Sequence, residues 1–114
     1  MSVPVLWRKL AKEDFRNLPS FQIQVEASEY IRRIGRTPNY GQQLEFRAET
    51  GDLSDCFKIY INNRKHRIVY RPVPNTVNPK AIDLILIGER SDYEAYVEAL
   101  KRLERPPGER VLPE

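Results

Sequence analysis

The sequence predicts an α+β domain with a small, mainly antiparallel sheet, N-terminal helices packed on one face and a C-terminal helix. Three observations carry this expectation. Residues 55–72, DCFKIYINNRKHRIVYRP, read as two strands and a turn. Residues 81–88, AIDLILIG, form a largely apolar run of strand length. Segments of helical period lie before and after these strands, so helices are segregated from an antiparallel run.

The elements follow in order. VPVLWR (3–8) is a first strand, with Pro4 at its start or on an edge. AKEDFRNL is helix-favouring and ends at Pro19. From Phe21 to Ala27 the apolar residues alternate as in a strand, but Ala27, Tyr30, Ile31 and Ile34 keep a helical period. A helix is preferred, capped by Ser20 and stopped by Gly35. RTPNYGQQ is a loop, LEFRA a short strand, and ETGDLS a turn-rich connection.

In the hairpin, Phe57, Ile59 and Ile61 share one face, and Ile68 and Tyr70 continue it. Lys58, Tyr60, Arg67, Val69 and Arg71 take the other, expected to be open. Asn62-Asn63 makes the turn, because asparagine tolerates positive φ. PVPNTVNPK (72–80) is an irregular loop. SDYEAYVEALKRL (91–103) is an amphipathic helix capped by Ser91, with Glu94 three residues on and an apolar stripe of Tyr93, Tyr96, Val97, Leu100 and Leu103. ERPPGERVLPE reads as a mobile tail, giving one domain over 1–104 and a flexible tail over 105–114.

Composition narrows the classes. No apolar run is long enough to span a bilayer, and MSVPVLWRKL lacks the pattern of a signal peptide. The lone Cys56 forms no internal disulfide, fits a reducing cytoplasm, and reads as a small buried hydrophobe. One histidine provides no zinc cluster. Net charge is +3, unevenly spread: residues 1–55 sum to zero, 56–90 to +5 and 91–114 to −2. Lys58, Arg64, Lys65, Arg67 and Arg71 meet no acid between residues 56 and 72. Such a strip is either a cation-guarded edge or a surface for a polyanion such as nucleic acid.

At this point CFKIYINNRKHRIVYR, followed by LILIGERSDYEAYVEALKRL, resembles the RelE/ParE superfamily of bacterial toxins, and its RelE branch most closely. The matching pieces are Cys56-Phe57-Lys58-Ile59, His66-Arg67-Ile68-Val69-Tyr70, Gly88-Glu89-Arg90, and Tyr96 with Ala99 and Arg102. The resemblance spans about residues 55–103 and implies a metal-independent endoribonuclease without cofactor that cuts mRNA on the ribosome. It further implies a cognate antitoxin as partner and a cytoplasmic location, with no membrane association. The family's active-site residues fall on Lys58, Arg67, Arg90 and Tyr96. Tyr60 stands where the family has a second lysine, and Glu89 replaces a common lysine.

Metal-free cleavage proceeds by attack of the 2′-oxygen on the adjacent phosphorus, and preorganised cations stabilise the charge that develops. Arginine stays protonated and offers a planar fork of donors, which suits Arg67 and Arg90. For the base, Tyr96 (as a phenolate favoured by cations) and Lys58 are both candidates, and Lys58 alternatively serves as the acid. Tyr60 is placed to stack on a base, with Arg64, Lys65 and Arg71 as further RNA-binding residues. Taken singly, each has an ordinary reading: Tyr96 as core, Arg90 paired to Asp92 or Glu94, Arg67 and Arg71 as edge guards, His66 as structural. Two other functions remain open: a ParE-like inhibitor of DNA gyrase, and a catalytically degenerate member that only binds RNA or an antitoxin.

Overall fold

A computed structural model describes residues 2–113. In chain order it contains β1 (Val5–Trp7), α1 (Lys9–Arg16), α2 (Phe21–Arg36), β2 (Gln42–Gln43), β3 (Phe46–Arg47), β4 (Gly51–Asp52), β5 (Phe57–Ile61), β6 (His66–Val73), β7 (Ala81–Gly88) and α3 (Asp92–Arg102). Five strands form one sheet in the order β1-β7-β6-β5-β2, and β3 and β4 form a separate two-stranded ladder. Only β1 with β7 is parallel; the other pairs are antiparallel. This is the α+β arrangement the sequence predicts.

The capping chemistry is as read. Ser20 accepts from the Ile23 amide at 3.2 Å and starts α2, and Ser91 accepts from the Glu94 amide at 3.2 Å and starts α3. Gly35 does not stop α2. It lies inside the last turn, and its carbonyl accepts from the Val3 amide at 2.8 Å. A Cβ there would meet the Val3 carbonyl at 3.2 Å, so the glycine serves close approach of helix and first strand. The hairpin turn is wider than two asparagines: Asn62, Asn63 and Arg64 all have positive φ, and the Lys65 amide closes the turn on the Asn62 carbonyl at 3.0 Å.

Alternation sorts the hairpin onto two faces. Ile59, Ile61, Ile68 and Tyr70 join Ile82, Leu84 and Ile87 in a core under α1 and α2, with Phe57 against its edge. Val69, Ile85 and Leu86 join Cys56, Ala95, Tyr96, Ala99 and Leu100 in a second core under α3. Consecutive Ile85 and Leu86 face the same side because the β6–β7 register shifts between Val69 and Tyr70. Strand β7 is therefore apolar apart from Asp83, because it is covered on both faces.

Further expectations need correction. The second face of the sheet is not open: α3 lies on it and buries Lys58 and Arg67. Within α3 the buried positions are Ala95, Tyr96, Ala99 and Leu100, while Tyr93 and Val97 are exposed. Two alanines let the helix sit close to the sheet, a signal that a count of large apolar residues misses. The segment 42–54 holds three two-residue strands rather than a loop, one strand and a turn: Gln42 and Gln43 pair with β5, and Phe46–Arg47 pairs with Gly51–Asp52.

The final segment also makes defined contacts. Arg105 forks onto Asp55 at 2.7 and 2.8 Å and donates to the Asp52 carbonyl at 3.0 Å. The Asp52 carboxylate accepts the Val111 and Leu112 amides, each at 3.0 Å, and the Ser54 hydroxyl at 2.6 Å. Burial alone raises the pKa of Asp52, but these hydrogen bonds outweigh it and lower the value to about 2. The stretch read as a mobile tail is thus bonded back onto the β4–β5 region. Among the described residues, no helix is long and apolar enough to cross a membrane.

Candidate active site

Cross-strand pairing builds the site. Tyr60 on β5 lies opposite Arg67 on β6, and Lys58 opposite Val69, so Lys58, Tyr60 and Arg67 point to the α3 side together. The first turn of α3 arrives over them. The Lys58 ammonium donates to the Tyr60 hydroxyl at 2.7 Å and to Oδ2 of Asp92 at 3.2 Å. Tyr60 donates to the same Oδ2 at 2.7 Å. Nε of Arg67 lies 3.2 Å from Oδ1 of Asp92. This last contact lacks hydrogen-bond alignment, and Arg67 Nε, Arg67 Nη1 and Asp92 Oδ1 are buried with no hydrogen-bond partner.

Aromatic rings enclose the cations. Lys58 Nζ lies 4.6 Å from the Tyr60 ring centre and 5.6 Å from that of Tyr96. The guanidinium of Arg64 covers the Tyr60 ring at 4.1 Å, and that of Arg67 lies at 5.7 Å from it. A cavity of about 150 Å³ opens beside Lys58 and Tyr96, lined also by Gln42, Gln43, Arg47 and Thr50.

Electrostatics fix two protonation states. Burial pulls the Lys58 pKa down, but hydrogen bonds with Tyr60, Tyr96 and Asp92 outweigh it, so the value is raised and the ammonium is kept. Burial pushes Asp92 up, but hydrogen bonds from Tyr60 and Lys58 and the charges of Lys58 and Arg67 hold it below its ordinary value. Lys58 is accordingly held as an ammonium at neutral pH.

Not every residue singled out in the sequence joins this cluster. Arg90 lies two residues past Gly88, the cross-strand partner of Arg67, but its side chain pairs with Glu98 at 3.5 Å. Arg71, read as an RNA contact, is locked in ion pairs with Asp83 at 2.8 Å and Asp55 at 3.5 Å. The acid missing from its own strand comes from β7, where Asp83 is its register partner. Arg8 shares Asp83 at 2.8 Å, so Arg71 belongs to a buried charge network rather than to a free surface. Lys65 is exposed on the hairpin turn. His66 is buried on the other side of β6, with Nδ1 3.0 Å from the side-chain Nδ2 of Asn62. Arg102 binds Asp14 at 2.7 Å and the Ile85 carbonyl at 2.9 Å, which ties α3 to α1 past β7. Asp92 is the member the sequence reading missed. Only its place at the start of a helix beside basic strands hinted at it.

No protein-family model matches the sequence, and no curated protein does. Solved structures do. The free state of a mutant of the E. coli toxin RelE is 21% identical, with a TM-score of 0.69, covering 90% of this chain and 99% of that one. The isolated E. coli RelE toxin is 19% identical with a TM-score of 0.61, over 90% and 99% of the two chains. A chain of the toxin–antitoxin complex RelBE2 from Mycobacterium tuberculosis is 18% identical with a TM-score of 0.60, over 79% and 100%. At such identities the likeness establishes architecture, and over nearly the whole length of those toxins the chain has the RelE fold.

Proposed function

We propose that the chain is the toxin of a type II toxin–antitoxin system, an endoribonuclease that cuts ribosome-bound mRNA by attack of the 2′-hydroxyl on the adjacent phosphate. The observation that carries this reading is the convergence of Lys58, Tyr60 and Arg67 beside Tyr96, with two guanidinium nitrogens of Arg67 making no hydrogen bond. Buried donors left without a hydrogen bond on a permanent cation are costly unless a better-fitting anion completes them. The RelE fold supports the reading, as does the solution of RelE proteins in complex with antitoxins.

In this mechanism Arg67 stabilises charge on the phosphoryl oxygens, and the protonated Lys58 donates to the departing 5′-oxygen. Tyr96 takes the 2′-proton as the phenolate and becomes the neutral phenol. Arg90 is half exposed and reaches the phosphate by leaving Glu98. Arg64 and Lys65 on the turn contact the RNA backbone. The products are a 2′,3′-cyclic phosphate and a 5′-hydroxyl. The partners are mRNA on the ribosome and an antitoxin. Incubating the purified protein with programmed ribosomes and mapping the cut ends tests this, with intact mRNA counting against it. Gyrase-dependent DNA breaks with uncut mRNA would instead favour a ParE-like activity.

A further inference from the structure

We infer that Asp92 occupies the seat of the substrate phosphate, so that the folded chain carries its own competing anion and an incoming phosphodiester binds by exchange with it. Naming that incoming anion as RNA rests on the ribonuclease reading above; the exchange itself rests on the cluster.

The donors converge on the Asp92 carboxylate from two adjacent strands. Lys58 and Arg67, at 9% and 6% exposure, are buried beneath it. With Asp92 in this position, Nε and Nη1 of Arg67 are buried and make no hydrogen bond.

Asp92 also fits the seat poorly. Its Oδ2 takes both the Tyr60 and Lys58 bonds. Its Oδ1 stands 3.2 Å from Arg67 Nε, yet both atoms are left without a hydrogen bond. A carboxylate presents two oxygens in one plane. A tetrahedral phosphate presents oxygens in several directions and can meet the ammonium, the phenol and the guanidinium fork together. The better occupant of this site is therefore not the resident one.

Finally, Asp92 is free to leave. Its side chain is 43% exposed, and it is the first residue of α3. Ser91 caps that helix through the Glu94 amide, so swinging the Asp92 side chain outward breaks no backbone bond of the first turn. Swung out, the carboxylate still lies near the positive end of the helix dipole.

Exchange of this kind gives selectivity. A tethered carboxylate competes at a fixed effective concentration, so a loose phosphate in solution is at a disadvantage. A phosphodiester held in position by a larger assembly is not. The site thereby discriminates against free RNA in favour of RNA presented in place.

The test uses inorganic phosphate as the probe, followed by NMR on the amides of Lys58 and Tyr60 and on the Arg67 Nε–H. The expected result is that D92N binds phosphate at least tenfold more tightly than the wild type. D92E, which keeps the charge, stays within threefold of the wild type, and adding R67A to D92N abolishes the gain. D92S supplies the same measurement should D92N lose the wild-type amide pattern. Phosphate affinity in the neutral variants within twofold of the wild type, or weaker, overturns the exchange. This readout needs no RNA cleavage. A wild type that cuts no mRNA sinks the ribonuclease reading alone, and cleavage without tightening in D92N sinks the exchange alone.

Discussion

The hydroxyl of Tyr60 and the carboxylate of Asp92 are joined by a 2.7 Å hydrogen bond that spans from the sheet to the first turn of α3. A phenol bonds Lys58 and Asp92 at once, as acceptor from one and donor to the other. Tyr60→Phe removes both bonds while keeping the ring under Arg64. The expected outcome is a loss of about 1 kcal/mol in urea unfolding. An unchanged midpoint would show that the bond contributes nothing to seating α3.

Arg67 and Arg71 lie four residues apart on one strand face but belong to different systems. Arg67→Ala is expected to lower the rate of RNA cleavage by about 10²–10³. Arg71→Ala leaves Asp83 with Arg8 and Asp55 with Arg105, and it is expected to cost about 2 kcal/mol of stability. Cleavage by the folded Arg71→Ala protein is expected to stay within about threefold of the wild type, since its effect lies in a charge network remote from the phosphate. Parallel kinetics and denaturation curves for the two variants check this.

Arg105 and Asp55 form a buried, bidentate pair linking the segment after α3 to the start of β5. Removing one partner strands the other charge in the interior. Arg105→Ala is expected to destabilise the fold by about 3 kcal/mol. Arg105→Lys keeps the charge and loses the fork, so it is expected to recover only part of that loss. Chemical denaturation of both variants gives the comparison.

Asp52 gives the acid limb of stability. Its folded-state pKa is depressed to about 2, below the ordinary carboxylate value near 3.8. Its contribution is therefore fully present above the unfolded value and fades as pH falls toward the folded one. The size is on the order of 2 kcal/mol. Asp55, Asp83 and Asp92 are lowered as well and act in the same direction. Asp52→Asn is expected to flatten the stability curve between about pH 4 and 2. An unchanged acid limb in that variant would rule out Asp52 as its source.

Periodicity made the hairpin, β7 and the caps of α2 and α3 legible, because each depends on neighbours within a few residues. Alternation also placed Lys58, Tyr60 and Arg67 on one face, and the family resemblance added Tyr96. What stayed hidden depends on pairing across the chain. Asp83 neutralises Arg71 through strand register, Asp92 reaches β5 and β6 only once α3 docks, and Arg105 finds Asp55 from 50 residues away. The β2–β4 region was obscured because two-residue strands carry too little period to read. The docking face of α3 was partly misjudged because Ala95 and Ala99, rather than Tyr93 and Val97, join Tyr96 and Leu100 at the contact.

The central claim, that the Lys58–Arg67 cluster cleaves RNA on the ribosome, is tested most directly by one measurement. Programmed ribosomes are incubated with the wild type, Lys58→Ala and Arg67→Ala, and the mRNA ends are mapped and chemically typed. Wild-type cuts within codons that leave 2′,3′-cyclic phosphate and 5′-hydroxyl ends are expected, with a loss of about 10²–10³ in each variant whose fold is retained. Intact mRNA with the wild type, or cleavage unaffected by both substitutions, would contradict it.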